Sequence, residues 1–272
     1  MNYIEFDFET ESTEQSEQLI ALLSEQDFEG FEEEENYLKA FIAENKFDEE
    51  EFERIVSKFS SLIYTSSIIE NINWNQQWEE SFQPVIVEDI VGIRAGFHQP
   101  IKKMQHEIII TPKMSFGTGH HATTYLMIQL MLSIDFKNKN VIDFGTGTGV
   151  LAILAEKLGA SKILAIDYDE WSIENAKENI TQNHCTKIVL QQNSVFPATG
   201  NFDITLANIT LNVISANITL MSGAIQKSAK IVLSGFLKSD EGSLGEILTD
   251  NKFTLITSFQ RGNWIAILAE KD

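Results

Sequence analysis

The sequence predicts an α/β chain in two parts: a small α+β unit, then a larger parallel sheet covered on both faces and ending in an antiparallel hairpin. Three observations lead there. Short alternating polar and apolar runs fill the first 70 residues, and from about His121 apolar strand runs alternate with amphipathic helices. Only the short stretch Gln260 to Asn263 joins the last two strands, too little chain for a right-handed crossover. The 272 residues, 43% hydrophobic, suffice for one large core and a smaller one.

In the first part, Asn2 to Phe8 sets Tyr3, Glu5 and Asp7 against Ile4, Phe6 and Phe8, the alternation of a half-buried strand. Ser12 caps a helix carrying Leu19, Ile20, Leu22 and Leu23. Phe28 to Glu34 and Tyr37 to Ala43 pair as a hairpin around Glu35 and Asn36. Asp48 opens a second helix with Phe52, Ile55, Val56 and Phe59, and the β-branched run Leu62 to Ile69 is a fourth strand. Strand, helix, two strands, helix, strand is the ferredoxin-like order, and it defines an N-terminal domain over residues 1–71. The polar stretch with Trp74 and Trp78 reads as a linker helix over 72–83, ended by Pro84.

The second part, 84–272, begins with short strands at Pro84 to Val87, Val91 to Ala95 and Glu107 to Thr111. A helix at Thr123 to Leu132 leads to strand Val141 to Gly145, helix Val150 to Leu158, strand Lys162 to Asp169 and helix Ser172 to Asn183. Strands KIVLQQ and Phe202 to Thr210, a helix at Val213 to Ser222, strand KIVLSGF, a helix at Gly242 to Leu248 and the closing pair FTLITSF and WIAILA complete it.

Charge separates the two parts. Residues 1–80 hold 22 Asp and Glu against 4 Lys and Arg, and the remaining 192 hold 18 acids and 16 bases. A partner of the first part is therefore basic, and direct nucleic-acid binding is disfavoured for want of a basic footprint. A single cysteine, Cys185, excludes an intrachain disulfide and multi-cysteine metal sites. His120 and His121 lack further ligands nearby, so no metal is expected and they read as residues holding the turn before a helix. With no apolar run near the ~20 residues of a bilayer span and no signal-peptide pattern at the N-terminus, the chain reads as soluble and cytoplasmic.

The chemistry is concentrated at Asp143-Phe-Gly145-Thr-Gly147-Thr-Gly149, between a strand and a helix. Glycines there let a ligand approach bare main chain at a helix N-terminus. Val150 occupies the third glycine position of the dinucleotide fingerprint, which lowers the rank of a nicotinamide oxidoreductase. Asp167 ends the next strand, 22 residues after Gly145, where a carboxylate can accept both hydroxyls of a ribose. A nucleoside without pyrophosphate fits both features.

VIDFGTGTGVLAI followed by AIDYDEWSIENAKENI resembles motif I and its successor in S-adenosylmethionine-dependent methyltransferases of the Rossmann-like seven-stranded class, whose sheet also ends in an antiparallel hairpin. Met114 to Thr124, MSFGTGHHATT, resembles the FGTG-x-H-P-T-T signature of the ribosomal protein L11 methyltransferases. Leu206 to Ile209 and Gly262 to Trp264 are similar to further segments of that family, so the resemblance covers about residues 107–268. The N-terminal part matches it in length and element order. The resemblance implies a protein N-methyltransferase using S-adenosyl-L-methionine, with Gly145 and Gly147 at its methionine part and Asp167 on its ribose. It also implies Thr124 and Asn208 around the cofactor, with Phe116 and Thr118 close. Two departures stand out: Ala122 replaces the usual proline, and Asn193-Ser194 stands where many such enzymes place an acid against the adenine amine.

Methyl transfer from a sulfonium needs a neutral amine lone pair held in line behind the methyl group. Lysine, with an ordinary pKa near 10.4, loses its proton at neutral pH at a cost of about 4 kcal/mol, which desolvation beside a cation reduces. The Asn208 carboxamide oxygen can accept the amine hydrogens, and the run Asn208-Ile-Thr-Leu lacks the aromatic that would stack on a planar base or amide. The resulting expectation is methylation of lysine and/or α-amino groups of ribosomal protein L11, presented by the acidic N-terminal domain. A small-molecule or RNA methyltransferase, and a catalytically inactive S-adenosylmethionine-binding protein, are the alternatives.

Overall fold

The structure is a computed structural model that describes residues 2–34, 36–59, 62–69, 82–113 and 115–272. It divides into two compact units, Met1–Ser81 and Phe82–Asp272. Most of the stretch expected as a linker helix, with Trp74 and Trp78, lies outside the described residues, and residues 82 and 83 are not helical.

The first unit runs β1 (Tyr3–Glu9), α1 (Thr13–Ser24), β2 (Gly30–Glu34), β3 (Tyr37–Ala43), α2 (Glu49–Val56) and β4 (Ile63–Ile69). Both helices start at the expected caps: Ser12 accepts from the Gln15 N–H, and Asp48 accepts from those of Glu50 and Glu51. The sheet order is β2-β3-β1-β4, antiparallel throughout, as the ferredoxin-like element order requires. Alternation sends Phe6 and Phe8 inward, where Phe52 meets Phe6 at 4.3 Å between ring centroids. The register places Glu5, Asp7 and Glu9 on the opposite face of the sheet with Lys39, Glu32 and Glu34. Lys39 is thus one cation among five carboxylates, 3.8 Å from Glu5.

In the second unit a three-stranded sheet of β5 (Val85–Val87), β6 (Val91–Ala95) and β7 (His106–Ile110) precedes the main sheet. The order is then α3 (Ala122–Met131), β8 (Asn140–Phe144), α4 (Val150–Lys157), β9 (Lys162–Asp167), α5 (Glu170–Gln182), β10 (Ile188–Gln192), β11 (Phe202–Asn208), α6 (Leu211–Ala224), β12 (Ile225–Leu237), α7 (Glu241–Asp250), β13 (Phe253–Arg261) and β14 (Trp264–Lys271). Seven strands form the main sheet in the order β10-β9-β8-β11-β12-β14-β13. The first five are parallel; β14 lies antiparallel between β12 and β13. Val141, Ile142, Leu206, Val232 and Leu233 are buried because helices cover both faces.

Two boundaries differ from the sequence reading for identifiable reasons. The strand expected to reach Asp169 stops at Asp167, because the Asp169 carboxylate accepts from Ser172 N and Oγ, both at 2.9 Å, and starts α5. The closing hairpin turns through Gly262 and Asn263 alone, with Gly262 at φ +61°, the positive angle a type II′ turn needs at its first central position.

Helix α3 shows what the missing proline does. His121 caps it, with φ −69°, ψ 139° and Nδ1 accepting from the Thr123 N–H at 3.3 Å, and Ala122 is the first helical residue. No hydrogen bond from the Ala122 N–H is found among the described residues, and the backbone of His121 already suits a following proline. Ala122→Pro should therefore stabilise the protein by about 0.4–1 kcal/mol, read by denaturant unfolding, through loss of unfolded-state freedom.

Candidate active site at the glycine loop

The turn Gly145–Gly149 connects β8 to α4 where the parallel strands end, and Gly145, Gly147 and Gly149 all take positive φ. The Gly145 and Thr146 N–H groups donate to the Ile166 carbonyl at 2.8 and 2.9 Å, tying the loop to β9. A Cβ on Gly147 would stand 2.2 Å from the Phe116 carbonyl oxygen, and one on Gly145 would stand 2.3 Å from Ile209 Cγ2. The glycines thus admit neighbouring chain as well as ligand.

Asp167 is 8% exposed at the end of β9. Its Oδ2 accepts from the Gly147 N–H at 2.8 Å and its Oδ1 from the Asp169 N–H at 3.1 Å, which leaves lone pairs on both oxygens for two hydroxyls. Beneath the loop Asp143 is fully buried, with Oδ2 accepting from the Thr146 hydroxyl at 2.6 Å. Burial outweighs that hydrogen bond, and with the nearby Asp167 charge it pushes the Asp143 carboxyl up to about 7.

The segment Ser115 to Gly119 docks on the glycine loop. Thr148 donates from N to the Phe116 carbonyl at 2.9 Å and from Oγ1 to the Gly117 carbonyl at 2.7 Å. Phe116 meets the His121 ring edge-on at 5.2 Å, and His121 meets Trp264 at 4.7 Å, so the GNW turn supports the same corner.

Asn208 closes the site from the end of β11. Its Nδ2 donates to Thr124 Oγ1 at 3.3 Å, while its Oδ1 is buried without a hydrogen-bond partner. Gly145, Gly147, Asp167, Asn208 and Phe116 line one cavity of about 890 Å³, with Asn193 and Ser194 on its wall. Thr124 and Thr118 do not line it. Thr124 is wholly buried behind Asn208, and the Thr118 hydroxyl lies 3.2 Å from His120 Nδ1.

Sequence reading missed the asparagines of α5 and its C-cap, Asn183. Asn175, Asn179 and Asn183 recur every four residues, a pattern that could as well mark a solvated face, yet all three are buried. Asn183 and Asn179 accept from the Ile109 and Thr111 N–H groups at 3.0 and 2.8 Å, so carboxamides satisfy the chain at and beyond the end of β7. Asn179 Nδ2 also donates to the Thr148 carbonyl at 2.8 Å, fastening the glycine loop to the stretch that leads to Phe116. Asn179→Ala leaves buried groups unsatisfied and should cost about 2–3 kcal/mol of stability in denaturant unfolding.

A family model described as Ribosomal protein L11 methyltransferase (PrmA) matches residues 3–272, N-terminal unit included. A ribosomal protein L11 methyltransferase from Phocaeicola vulgatus is 35% identical over 98% of this chain and 98% of its own length. A relative of the same name from Chlorobaculum tepidum is 38% identical over 99% of this chain and 96% of its own. The crystal structure of a ribosomal protein L11 methylase from Lactobacillus delbrueckii subsp. bulgaricus aligns with a TM-score of 0.65 at 29% identity, covering 70% of this chain and all of that one.

Proposed function

The chain belongs to the ribosomal protein L11 methyltransferase family, and from that premise we propose that it methylates amino groups of ribosomal protein L11, lysine side chains and/or the α-amino group, at the Asn208 carboxamide. The observation that supports this most directly is the state of that carboxamide. Its nitrogen is engaged by Thr124 while its oxygen, buried at the wall of the cavity, accepts nothing.

The residues fit S-adenosyl-L-methionine. Bare main chain at Gly145 and Gly147 suits the methionine portion, and Asp167 has acceptor capacity for a ribose. Bound there, S-adenosyl-L-methionine supplies a methyl group already activated on a sulfonium. The protein's own part is to hold the acceptor. An oxygen without a competing donor accepts a hydrogen bond from an arriving amine and so fixes the direction of the amine lone pair. The buried position favours the neutral amine over the ammonium. A dedicated base is not required, since the proton can leave before the amine is enclosed.

The acidic sheet face of the first unit suits the other requirement, a basic protein partner. Glu5, Asp7, Glu9, Glu32 and Glu34 share it with the single cation Lys39, and complementary charge of this kind speeds encounter. On this reading residues 1–71 engage L11 while 84–272 perform the transfer, without direct contact to nucleic acid. The work is done in the cytoplasm alongside the substrate; among the described residues no helix is long and apolar enough to cross a membrane. Incubation of the purified chain with methyl-labelled S-adenosylmethionine and L11 tests the proposal. Label on L11 amino groups is expected; L11 without label would refute it.

A further inference from the structure

The chain leaving β11 passes between two glycines. In the register of the main sheet Asn208 lies opposite Ser234 of β12, and the next residue, Ile209, donates its N–H to the Ser234 carbonyl at 3.0 Å. Gly235 follows Ser234 and is passed over in the pairing with β14, which sets Ser234 against Ala266 and Phe236 against Ile265. It is thus the extra residue of a bulge, held at φ +101°. A Cβ at this position would stand 2.3, 2.6 and 2.9 Å from the O, C and N of Ile209, main-chain atoms that have no rotamer in which to escape. A side chain at 235 is therefore excluded twice, by its own backbone conformation and by the Ile209 peptide.

The other flank of Ile209 meets the glycine loop. Gly145 directly follows β8, the neighbour of β11 on the side away from β12, and a Cβ on it would stand 2.3 Å from Ile209 Cγ2. Ile209 thus bridges two close approaches, with its branch on the loop suited to the methionine part of the cofactor and its main chain on the bulge of β12. Isoleucine suits a spacer, because branching at Cβ restricts χ1 and stiffens the side chain. Immediately before it, the Asn208 carboxamide is fixed from another direction by Thr124.

We propose that Ile209, clamped between Gly145 and Gly235, is a positioning residue that sets the separation and direction of the Asn208 amine site relative to the methyl donor. This rests on the reading of the chain as an L11 methyltransferase. Methyl transfer requires the amine nitrogen, the methyl carbon and the sulfur on one line at near contact, and a misplacement of about 1 Å costs on the order of 10² in rate. The clamp ties the strand end that holds the amine to the loop that suits the donor. Gly235 takes part from outside the cavity, through the backbone alone.

A series at Ile209 separates positioning from packing. Ile209→Leu keeps the volume and removes the branch, Ile209→Val keeps the branch and loses volume, and Ile209→Ala loses both. Single-turnover methylation of L11, its steady-state KM, calorimetric affinity for S-adenosylmethionine and denaturant unfolding are measured on each, with Gly235→Ala as a second approach to the same contact. Ile209→Leu should slow transfer at least tenfold, with KM for L11 and cofactor affinity changed less than about threefold, and Ile209→Val should restore most of the rate. Gly235→Ala, where it folds, should slow transfer in the same selective way. Transfer rates that follow stability across the series, or wild-type transfer by Ile209→Leu, would overturn the proposal, as would a loss confined to cofactor affinity. Wild-type protein that binds the cofactor but leaves L11 unmethylated would overturn the underlying reading, and this one with it.

Discussion

Replacing Asn208 by alanine is expected to lower the rate of methyl transfer to L11 on the order of 10²-fold, while affinity for S-adenosylmethionine falls much less. The carboxamide nitrogen is held by Thr124 and its buried oxygen has no hydrogen-bond partner, so its removal takes away the acceptor that orients the amine. Gly145, Gly147 and Asp167, the groups suited to the cofactor, keep their own hydrogen bonds and the loop geometry behind them. Asn208→Asp sharpens the argument. A carboxylate would still accept the amine hydrogens but would favour the ammonium form, raising the acceptor's pKa. Its rate should therefore be low at neutral pH and recover as pH rises, which a simple loss of packing would not produce. Single-turnover methylation across pH, beside calorimetric cofactor binding, separates the two effects.

Removal of residues 1–71 should abolish methylation of L11 in practice, a loss of kcat/KM of about 10²–10⁴, the factor a tethered second contact contributes through effective concentration. Cofactor binding should survive. Each unit has its own hydrophobic core: Phe6, Phe8, Leu19, Leu38 and Phe52 belong to one, and the clusters under the main sheet draw only on the second unit. Full activity of the shortened chain on L11 would show that substrate is recognised elsewhere. A milder variant, with Glu5, Asp7, Glu32 and Glu34 changed to their amides, should raise KM and weaken its dependence on salt while leaving kcat in place.

Much of the fold was legible because local signals agreed with the tertiary outcome. Ser12 and Asp48 sit where caps belong, strand runs alternate with helical ones, and the hairpin connection is too short for anything but an antiparallel pair. The glycine loop and Asp167 were legible for a similar reason, since their spacing follows from one strand–turn–helix–strand unit. What escaped were contacts between segments far apart in sequence. Asn179 reads as a polar residue on a helix, and its role follows only from the proximity of Thr111 and Thr148, 68 and 31 residues away. Thr124 was implied to lie at the cofactor. The fold sets it behind Asn208, where it orients the carboxamide. Glycine at 147 is required by the Phe116 carbonyl, a neighbour that no spacing rule announces.

Calorimetric titration of the intact chain with S-adenosylmethionine, wild type beside Asp167→Ala, examines the ground on which every later step stands. One saturable site, weakened at least tenfold in the variant by loss of a charged hydrogen-bonding partner, is the expected result. Absence of binding, or equal binding by both proteins, would contradict the assignment of this cavity and of the amine site beside it.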